Sequence, residues 1–347
     1  MLRFVPRTEI DTVAWDACVA ASAHRIVYGY SWYLDAVTGR DDRGDQATVY
    51  PPMQWAGLVI VGDAGTYQAV MPVPLRRKFG RWVVHQPLFC QFLGVFSPDE
   101  AVDPAPFLRA VQQQYRYGSV LCLRSYPQPS VGFNAVQQRT THVLDLSVGY
   151  ETIAGRYTRD RKLNLRRALD YGWLITDSTD PEPLLDLFRA NHADRIDGGV
   201  GAWAYTILRG LIQALQKRGL VTLRYALANS CPEAGALFVQ EGNRIIYLFN
   251  AASETGRRGN ARTLLIDQVI RERAGQRFAG QRSAGQRFNE HTQKEKPLIF
   301  DFESPQKESV VHFYRSFGAV DEPFYDVRWN RLTLVERAVK HVLGLFR

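Results

Sequence analysis

The sequence predicts an α/β fold with a mixed sheet, divided between two domains. The chain has 347 residues, of which 46% are hydrophobic, and this length exceeds one ordinary core but suits two. Short apolar runs typical of strands alternate with segments in which apolar residues recur at helical spacing. The stretch Arg244–Ile270 shows the pattern best, because it predicts a buried strand, a Gly/Arg-rich turn and the start of a helix.

The first domain is predicted over residues 1–146. Gly62 to Gly65 separates two apolar runs and predicts a hairpin turn. The predicted helices are Ala14–Ser22, Ser31–Val37 and Phe107–Tyr117, and the predicted strands are Gln54–Val61, Tyr67–Val73, Ser119–Arg124 and Thr141–Leu146.

An aromatic-rich run from Val83 to Ser97 predicts either core or the wall of a cleft. His85 and Gln91 within it are candidate substrate-binding residues. The alternative is structural, since a lone histidine in an apolar run is more often a hydrogen-bonded core residue, and we favour that explanation for His85.

The second domain is predicted over residues 147–330 and begins with a basic helix, Gly155–Tyr171. This helix contains six cationic residues and only two carboxylates, Asp160 and Asp170. Either the helix has a solvated face, or it binds phosphate on CoA, on undecaprenyl pyrophosphate or on tRNA. Arg166 is the candidate substrate-binding residue on this helix.

The remaining elements lead to the turn within Arg244–Ile270. They are the helices Pro183–Ala193 and Ala202–Lys217 and the strands Leu220–Ala226, Ala234–Gln240 and Arg244–Asn250. The turn from Gly256 to Ala261 supplies small residues, two arginines and backbone N–H groups at a helix start, a combination that binds anions. A surface loop that needs Gly to turn and Arg for solubility is the alternative.

Two further segments stand apart from these elements. Residues 274–288 repeat the motif Ala-Gly-Gln-Arg three times with little change, which predicts a low-complexity insertion over 274–296. Residues 331–347 predict a C-terminal amphipathic helix.

Composition narrows the function classes. No apolar run is long enough to span a bilayer and no signal peptide begins the chain, so we expect a cytoplasmic protein without a transmembrane segment. The four cysteines are scattered, and neither they nor the histidines cluster, so no metal site is expected. A formal charge of +8 favours an anionic partner.

Three groups of residues resemble the GNAT acyltransferases and, within them, the FemAB-like group. The turn is similar to the acyl-CoA pyrophosphate loop Gln/Arg-x-x-Gly-x-Gly/Ala, with Gly259 and Ala261 matching and Gly256 replacing Gln or Arg. Residues 300–305 and 310–319, followed by Tyr325, resemble the end of a FemAB-like protein, where a D-F-E-type strand end precedes a helix ending F-Y-x-x-F-G-A. Residues 86–94 resemble that group's P-x-x-Q-x-x-G stretch.

The resemblance implies tandem GNAT-like domains and an N-acyltransferase that uses acyl-CoA as co-substrate. It implies a small-molecule or lipid-linked amine as the acceptor. Glu303, at the carboxyl end of the predicted strand Leu298–Glu303, is the candidate base, and Tyr325 is the second catalytic candidate. Capping of the next helix by Ser304 is part of the structural alternative. The implied cofactor-binding residues are Gly256, Arg257, Arg258, Gly259, Asn260 and Ala261.

Two other functions remain open. One is an aminoacyl-tRNA-dependent aminoacyltransferase in peptidoglycan or cell-envelope synthesis, and its tRNA would be a partner. The Gly259/Ala261 turn favours CoA over tRNA as the donor, and so does the absence of a coiled-coil arm. The other is a non-catalytic GNAT-fold binding protein. No feature indicates DNA as a partner.

Overall fold

The computed structural model describes residues 1–40, 52–78, 80–196, 198–278, 295–334 and 336–337. The described chain forms two compact units. The first unit contains Met1–Arg139, Thr206–Ala214 and the described residues from Pro323 onward. The second unit contains Thr140–Tyr205 and the described residues from Leu215 to Glu322.

Strands and helices alternate along most of the chain. The strands are β1 (Leu2–Pro6), β2 (Met53–Val61), β3 (Tyr67–Lys78), β4 (Arg81–His85), β5 (Tyr117–Leu123), β6 (Ala135–Asp145), β7 (Leu174–Ser178), β8 (Val221–Ala228), β9 (Cys231–Glu241), β10 (Arg244–Ala252), β11 (Arg277–Phe278), β12 (Lys296–Pro297), β13 (Ile299–Asp301) and β14 (Val320–Asn330). The α-helices are α1 (Thr12–Ala21), α2 (Ser31–Val37), α3 (Ala105–Gln114), α4 (Tyr150–Gly155), α5 (Arg159–Tyr171), α6 (Glu182–Asn191), α7 (Ala202–Gln216), α8 (Glu254–Arg258), α9 (Ala261–Arg273) and α10 (Glu308–Arg315).

The sheet of the first unit has the strand order β1-β2-β3-β4-β5-β14. All neighbours in it are antiparallel except β4 and β5, which are parallel. The predicted hairpin is confirmed, since β2 and β3 pair on either side of Gly62 to Gly65. The strand β4 was not predicted, because its residues belong to the aromatic run that also fitted a cleft wall.

Two tryptophans mark the core of the first unit. Trp15 and Trp55 are almost fully buried, with ring centroids 5.1 Å apart. The Trp15 indole N–H donates to the carbonyl of Gly29 at 2.9 Å, so its one polar group is satisfied. Gly57 allows the close approach, because a Cβ at this position would lie 2.5 Å from the Trp15 ring. The sheet and α1 therefore pack at a distance that only glycine permits.

The sheet of the second unit has the strand order β6-β13-β10-β9-β8-β7. The pair β10 and β13 is parallel and the other neighbours are antiparallel. Its core includes residues of α5, α9 and α10, with Phe300, Phe302 and Phe317 almost completely buried. The edge strand β7 was not predicted, because its five residues are mostly solvent-exposed and lack an apolar face.

The predicted basic helix, Gly155–Tyr171, corresponds to α5, which starts four residues later at Arg159. Thr158 has an extended backbone and its hydroxyl accepts from the N–H of Arg161, so it ends the continuity with α4 and caps α5. The sequence prediction extended the helix to Gly155, because the charge pattern is continuous across this break.

Two predicted segments lie mainly outside the described residues. Of the insertion predicted over 274–296, the structure describes residues 274–278, which end in β11, and residues 295–296. Of the C-terminal helix predicted over 331–347, it describes 331–334 and 336–337. Within the described parts of the chain, every helix is too short or too polar to cross a bilayer.

Candidate active site

The candidate site lies in the second unit, where β10 and β13 stop pairing. Their parallel ladder joins Arg244–Ile246 to Ile299–Asp301, and β13 ends there while β10 continues to Ala252. The register of β10 against β9 shifts between Tyr247 and Phe249, which marks a bulge. A parallel ladder that ends at the carboxyl end of one strand while its partner continues leaves room for a ligand, and bulges often occur beside such sites.

The turn that follows β10 differs from the sequence prediction. Residues 254–258 form the short helix α8, whose first turn is capped by Ser253. Most of the backbone N–H groups expected to be free are already bonded: that of Gly256 donates to Ser253 Oγ, that of Gly259 to the carbonyl of Thr255 and that of Asn260 to the carbonyl of Arg257. The reason is that the Ser253 cap, which lies before the predicted turn, starts a helix.

The two arginines of α8 are engaged within the domain. A guanidinium N–H of Arg257 donates to the carbonyl of Ala252 at 2.7 Å. Arg258 is largely exposed and pairs with Glu254 one turn earlier at 2.5 Å. Asn260 has a left-handed backbone, with φ of 55°, and α9 begins at Ala261 directly after it. The first turn of α9 therefore presents the remaining N–H groups.

A buried arginine lies beside this first turn. Arg161 of α5 is 5% exposed. Its guanidinium donates to Ser316 Oγ at 2.9 Å and to Thr263 Oγ1. It also lies over the rings of Phe313 and Phe317, at 4.2 and 4.6 Å from their centroids. Burial and the charge of Arg262 lower the pKa of Arg161 to about 10, so it is still cationic at neutral pH.

Arg262, the second residue of α9, links this arginine to β10. Its guanidinium lies 5.4 Å from the Phe313 ring and donates to Asn250 Oδ1 at 3.0 Å. Among the residues that the structure describes, no carboxylate is within ion-pair distance of Arg161 or Arg262. Two neighbouring guanidinium groups without a counter-charge favour an anion at this place.

Tyr314 and Glu303 complete the cluster. Burial and the charge of Glu303 raise the pKa of the Tyr314 hydroxyl to about 12, against the opposite effects of Arg262 and of a hydrogen bond with Asn250. Tyr247 on β10 packs edge-on against Tyr314, and its buried hydroxyl has no hydrogen-bond partner in the described part of the chain. The Tyr314 hydroxyl thus lies close to a cation, Arg262, and to an anion, Glu303.

Glu303 follows β13 in an unusual backbone conformation. Its φ is 44°, and its N–H donates to Asp301 Oδ1 at 2.9 Å. Asp301 is itself fixed, because it is fully buried and accepts from Arg244 and from Thr141 Oγ1. The strand alternation that would place Asp301 and Glu303 on one face therefore stops at Asp301.

Ser304 does not cap the next helix as the structural alternative expected. Its hydroxyl is 2.8 Å from His142 Nδ1, and its N–H donates to Thr141 Oγ1 at 3.2 Å. The residue before α10 is Lys307, which makes no side-chain cap. The helix α10 starts at Glu308, four residues after Ser304, so Ser304 is too far from its first turn to cap it.

Residues 155–279 match the family model described as "Acetyltransferase (GNAT) domain". Residues 155–279 are therefore similar to a GNAT acetyltransferase domain, and this region is called the GNAT domain below. The predicted resemblance and the α/β fold class are confirmed. The matched region contains all of α5, β10 and α9, so most of the cluster described above lies in the GNAT domain.

Solved structures agree on the fold. FemX has a TM-score of 0.60 at 11% identity, with 96% of this chain and 98% of that chain covered. A conserved protein of unknown function from Bacteroides thetaiotaomicron has a TM-score of 0.52 at 13% identity, with 95% and 100% covered. No curated protein gives a significant match.

Three of the predicted site residues lie in the first unit, outside the GNAT domain. Tyr325 on β14 packs edge-on against Tyr126 at 5.2 Å. Gln91 has a buried Oε1 that lacks a donor among the described residues. His85 is bonded on both ring nitrogens, 2.7 Å from Ser119 Oγ and 3.2 Å from Arg76 Nη1. His85 is thus half-buried and hydrogen-bonded on both sides of its ring, and its role in substrate binding stays a prediction.

The remaining predicted residue, Arg166, is solvent-exposed on α5 of the GNAT domain. It lines the same surface groove as Lys162, another cation of that helix. The sequence analysis counted Arg161 only among the six cations of the basic helix, and it missed Arg262, Asn250 and Tyr314. The available signal was helical phase: Arg161, Leu165 and Ala168 lie on one face, and all three are buried. In the described chain no group of three or more His, Cys, Asp or Glu residues is placed to hold a metal ion.

Proposed function

We propose that the protein is an N-acyltransferase that transfers an acyl group from acyl-CoA to an amine. The observation that carries this proposal is the pair Arg161 and Arg262 at the first turn of α9, without a carboxylate partner in the described chain. Desolvating a guanidinium is costly unless an anion compensates it. The pyrophosphate of CoA would supply that charge, and the N–H groups at the helix start would bind the same oxygens.

The opening between β10 and β13 would then receive the acyl thioester. The acceptor amine must lose a proton as its nitrogen attacks the thioester carbonyl carbon, and Glu303 is our candidate to take that proton directly or through water. The carbon–sulfur bond breaks and the CoA thiolate needs a proton. The proton lost by the amine balances the one that the thiolate takes up, and the Tyr314 hydroxyl, which is protonated at neutral pH, is our candidate hydrogen-bond donor to the leaving sulfur. Tyr325 remains the second candidate base.

Titration of CoA into the purified protein tests the donor site. We expect Arg262→Gln to weaken CoA binding roughly 10- to 100-fold, the range for one charge-assisted contact of about 1–3 kcal/mol. Arg161→Met, which keeps the apolar stem against Phe313, should have a similar effect. Arg257→Ala with Arg258→Ala, the cofactor-binding arginines predicted from sequence, should weaken binding less, because both guanidinium groups are already engaged.

The matched control is Arg109→Gln, an exposed arginine on α3 of the first unit, which should bind CoA like the unchanged protein. CoA binding that is equal in the Arg262, Arg161 and control variants would contradict the proposed donor site. Absence of CoA binding in every folded variant would remove CoA as the donor.

Aminoacyl-tRNA is the second candidate donor, and the row of exposed arginines on α5 favours it. The acceptor would then be an amine in peptidoglycan or cell-envelope synthesis. Transfer from aminoacyl-tRNA together with failure to bind CoA would select this function. Failure of both donors would select a non-catalytic binding protein.

A further inference from the structure

The surface of α4 and α5 combines exposed aliphatic side chains with unpaired cations. Leu163 is 38% exposed and Leu169 is 56% exposed on α5, and Leu174 at the start of β7 is 64% exposed. A single exposed leucine is ordinary, but here three lie within twelve residues of sequence. Solvation alone gives no reason for these side chains on a helix this polar.

Cations surround the leucines. Arg159 and Arg167 lie one turn before and one turn after Leu163, and Arg166 lies beside it. In the described chain these three arginines have no ion-pair partner, while Lys162 Nζ donates to the carbonyl of Gly155. Residues 150–174 contain six cations and three carboxylates, so the surface has a net positive charge.

An open groove of about 390 Å³ runs between the two helices. Ala154, Leu165 and Leu169 give it apolar walls, and Lys162 and Arg166 also line it. The groove thus repeats the composition of the outer face, with hydrocarbon and cationic groups side by side.

The chemistry of this surface distinguishes two anionic partners. RNA would bind the arginines through its phosphates and could stack an unpaired base on Tyr171, which is 46% exposed, but it gains little from the three leucines. A bilayer that contains anionic lipid interacts favourably with the arginines and with the leucines, because the headgroups attract the cations and the acyl region accepts the aliphatic side chains. The exposed leucines therefore favour the lipid.

We propose that the α4/α5 surface docks the protein on an anionic phospholipid membrane. This goes beyond the proposed transfer reaction, because it concerns where the enzyme binds and requires no donor. The contact is interfacial: α5 would lie along the headgroups, with Leu163, Leu169 and Leu174 inserted between them.

Vesicle sedimentation tests the proposal with two variants of opposite design. Arg159→Gln/Arg166→Gln/Arg167→Gln removes charge, and we expect it to lower binding to vesicles of equal parts phosphatidylglycerol and phosphatidylcholine by roughly 10²-fold. Leu163→Ser/Leu169→Ser keeps every charge, and we expect roughly tenfold weaker binding. The unchanged protein should bind pure phosphatidylcholine vesicles much more weakly than the mixed ones.

The control Arg3→Gln/Arg77→Gln/Arg109→Gln removes the same charge from exposed positions of the first unit and should bind nearly as the unchanged protein does. A melting curve of each variant checks that it is folded. Vesicle binding that the leucine variant retains in full, with polyuridylate binding lost only in the α5 arginine variant, would assign the surface to RNA. Equal loss in the control, or no vesicle binding by the unchanged protein, would overturn the proposal.

Discussion

Glu303 holds a left-handed backbone conformation that a residue with a side chain adopts at a cost of roughly 1–2 kcal/mol. The buried Asp301 receives its N–H and the Ser304–His142 contact fixes the next residue, so the surroundings impose this conformation. Such strain is concentrated at functional sites. It supports the assignment of Glu303 to the reaction, since a purely structural role would be served better by glycine.

We predict that Glu303→Gln lowers turnover at least about 10²-fold, because the variant keeps size and hydrogen bonding but cannot accept the proton. Its melting temperature should change little. Glu303→Gly should be equally inactive yet as stable as the unchanged protein or more so, since glycine relieves the backbone strain. Steady-state kinetics and thermal melts measure both. Normal turnover combined with lower stability would assign Glu303 to the fold and make Tyr325 the next candidate base.

At the scale of elements, the junction between β10 and α9 sets the position of the candidate donor site. The helix α8 fills this junction and packs tightly against β9, because a Cβ on Gly256 would lie 2.1 Å from the carbonyl oxygen of Glu233. The glycine is needed for this approach and not for a positive φ. A shift of α8 would move the first turn of α9 and with it Arg262.

Gly256→Ala should therefore destabilise the protein by about 1–3 kcal/mol, the usual cost of overpacking, and should also weaken CoA binding. Gly210 on α7 is the matched control, since nothing lies within 4 Å of a Cβ there. Gly210→Ala should raise stability by about 0.5–1 kcal/mol, as expected for a helix interior. Denaturant titration of both variants checks this. Equal stability of the two would show that α8 can move without cost.

At the scale of the whole molecule, stability against acid should depend on His85 in the first unit. Burial and the charges of Lys78 and Arg76 lower the pKa of His85 to about 3. Arg76 donates to Nε2, so Nδ1 carries the proton and donates to Ser119 Oγ. The ring is thus held neutral, and its protonation would place a third cation beside two others.

The sign of the pH effect follows from this lowered pKa. Above the usual value of 6.5 the ring is neutral in the folded and unfolded chains, and His85 adds no pH dependence. Below pH 6.5 only the unfolded chain gains a proton. The free energy of unfolding therefore falls by at most about 1.4 kcal/mol per pH unit until the pH reaches the folded pKa.

We predict that His85→Gln removes this part of the acid sensitivity, so the stability of the variant approaches that of the unchanged protein as the pH falls. His312→Gln, an exposed control on α10, should follow the unchanged protein, and denaturant titrations from pH 7 to about 4 measure the difference. Parallel curves for the unchanged and His85 variants would contradict the prediction.

The sequence by itself determined the fold class, most strands and helices, and the resemblance to GNAT acyltransferases. These features are local: an amphipathic period or a short motif lies within a few residues and is visible without contacts. The strands β2, β3, β8, β9 and β10 were found for this reason. The short edge strand β7 and the capped break before α5 were missed, because neither interrupts the hydrophobic pattern strongly.

Only the tertiary structure decided which polar groups meet. Arg161 contacts Thr263 and Ser316 across 102 and 155 residues of sequence, and no local pattern encodes such a pairing. It also decided that Gly256 and Arg257 belong to a helix, that His85 is held by Ser119, and that Thr206–Ala214 belongs to the first unit. The physical reason is burial. In the sequence Arg161 is one cation among several on the same helix. Its desolvation cost, and its capacity to bind an anion strongly, arise only when the fold removes its guanidinium from water.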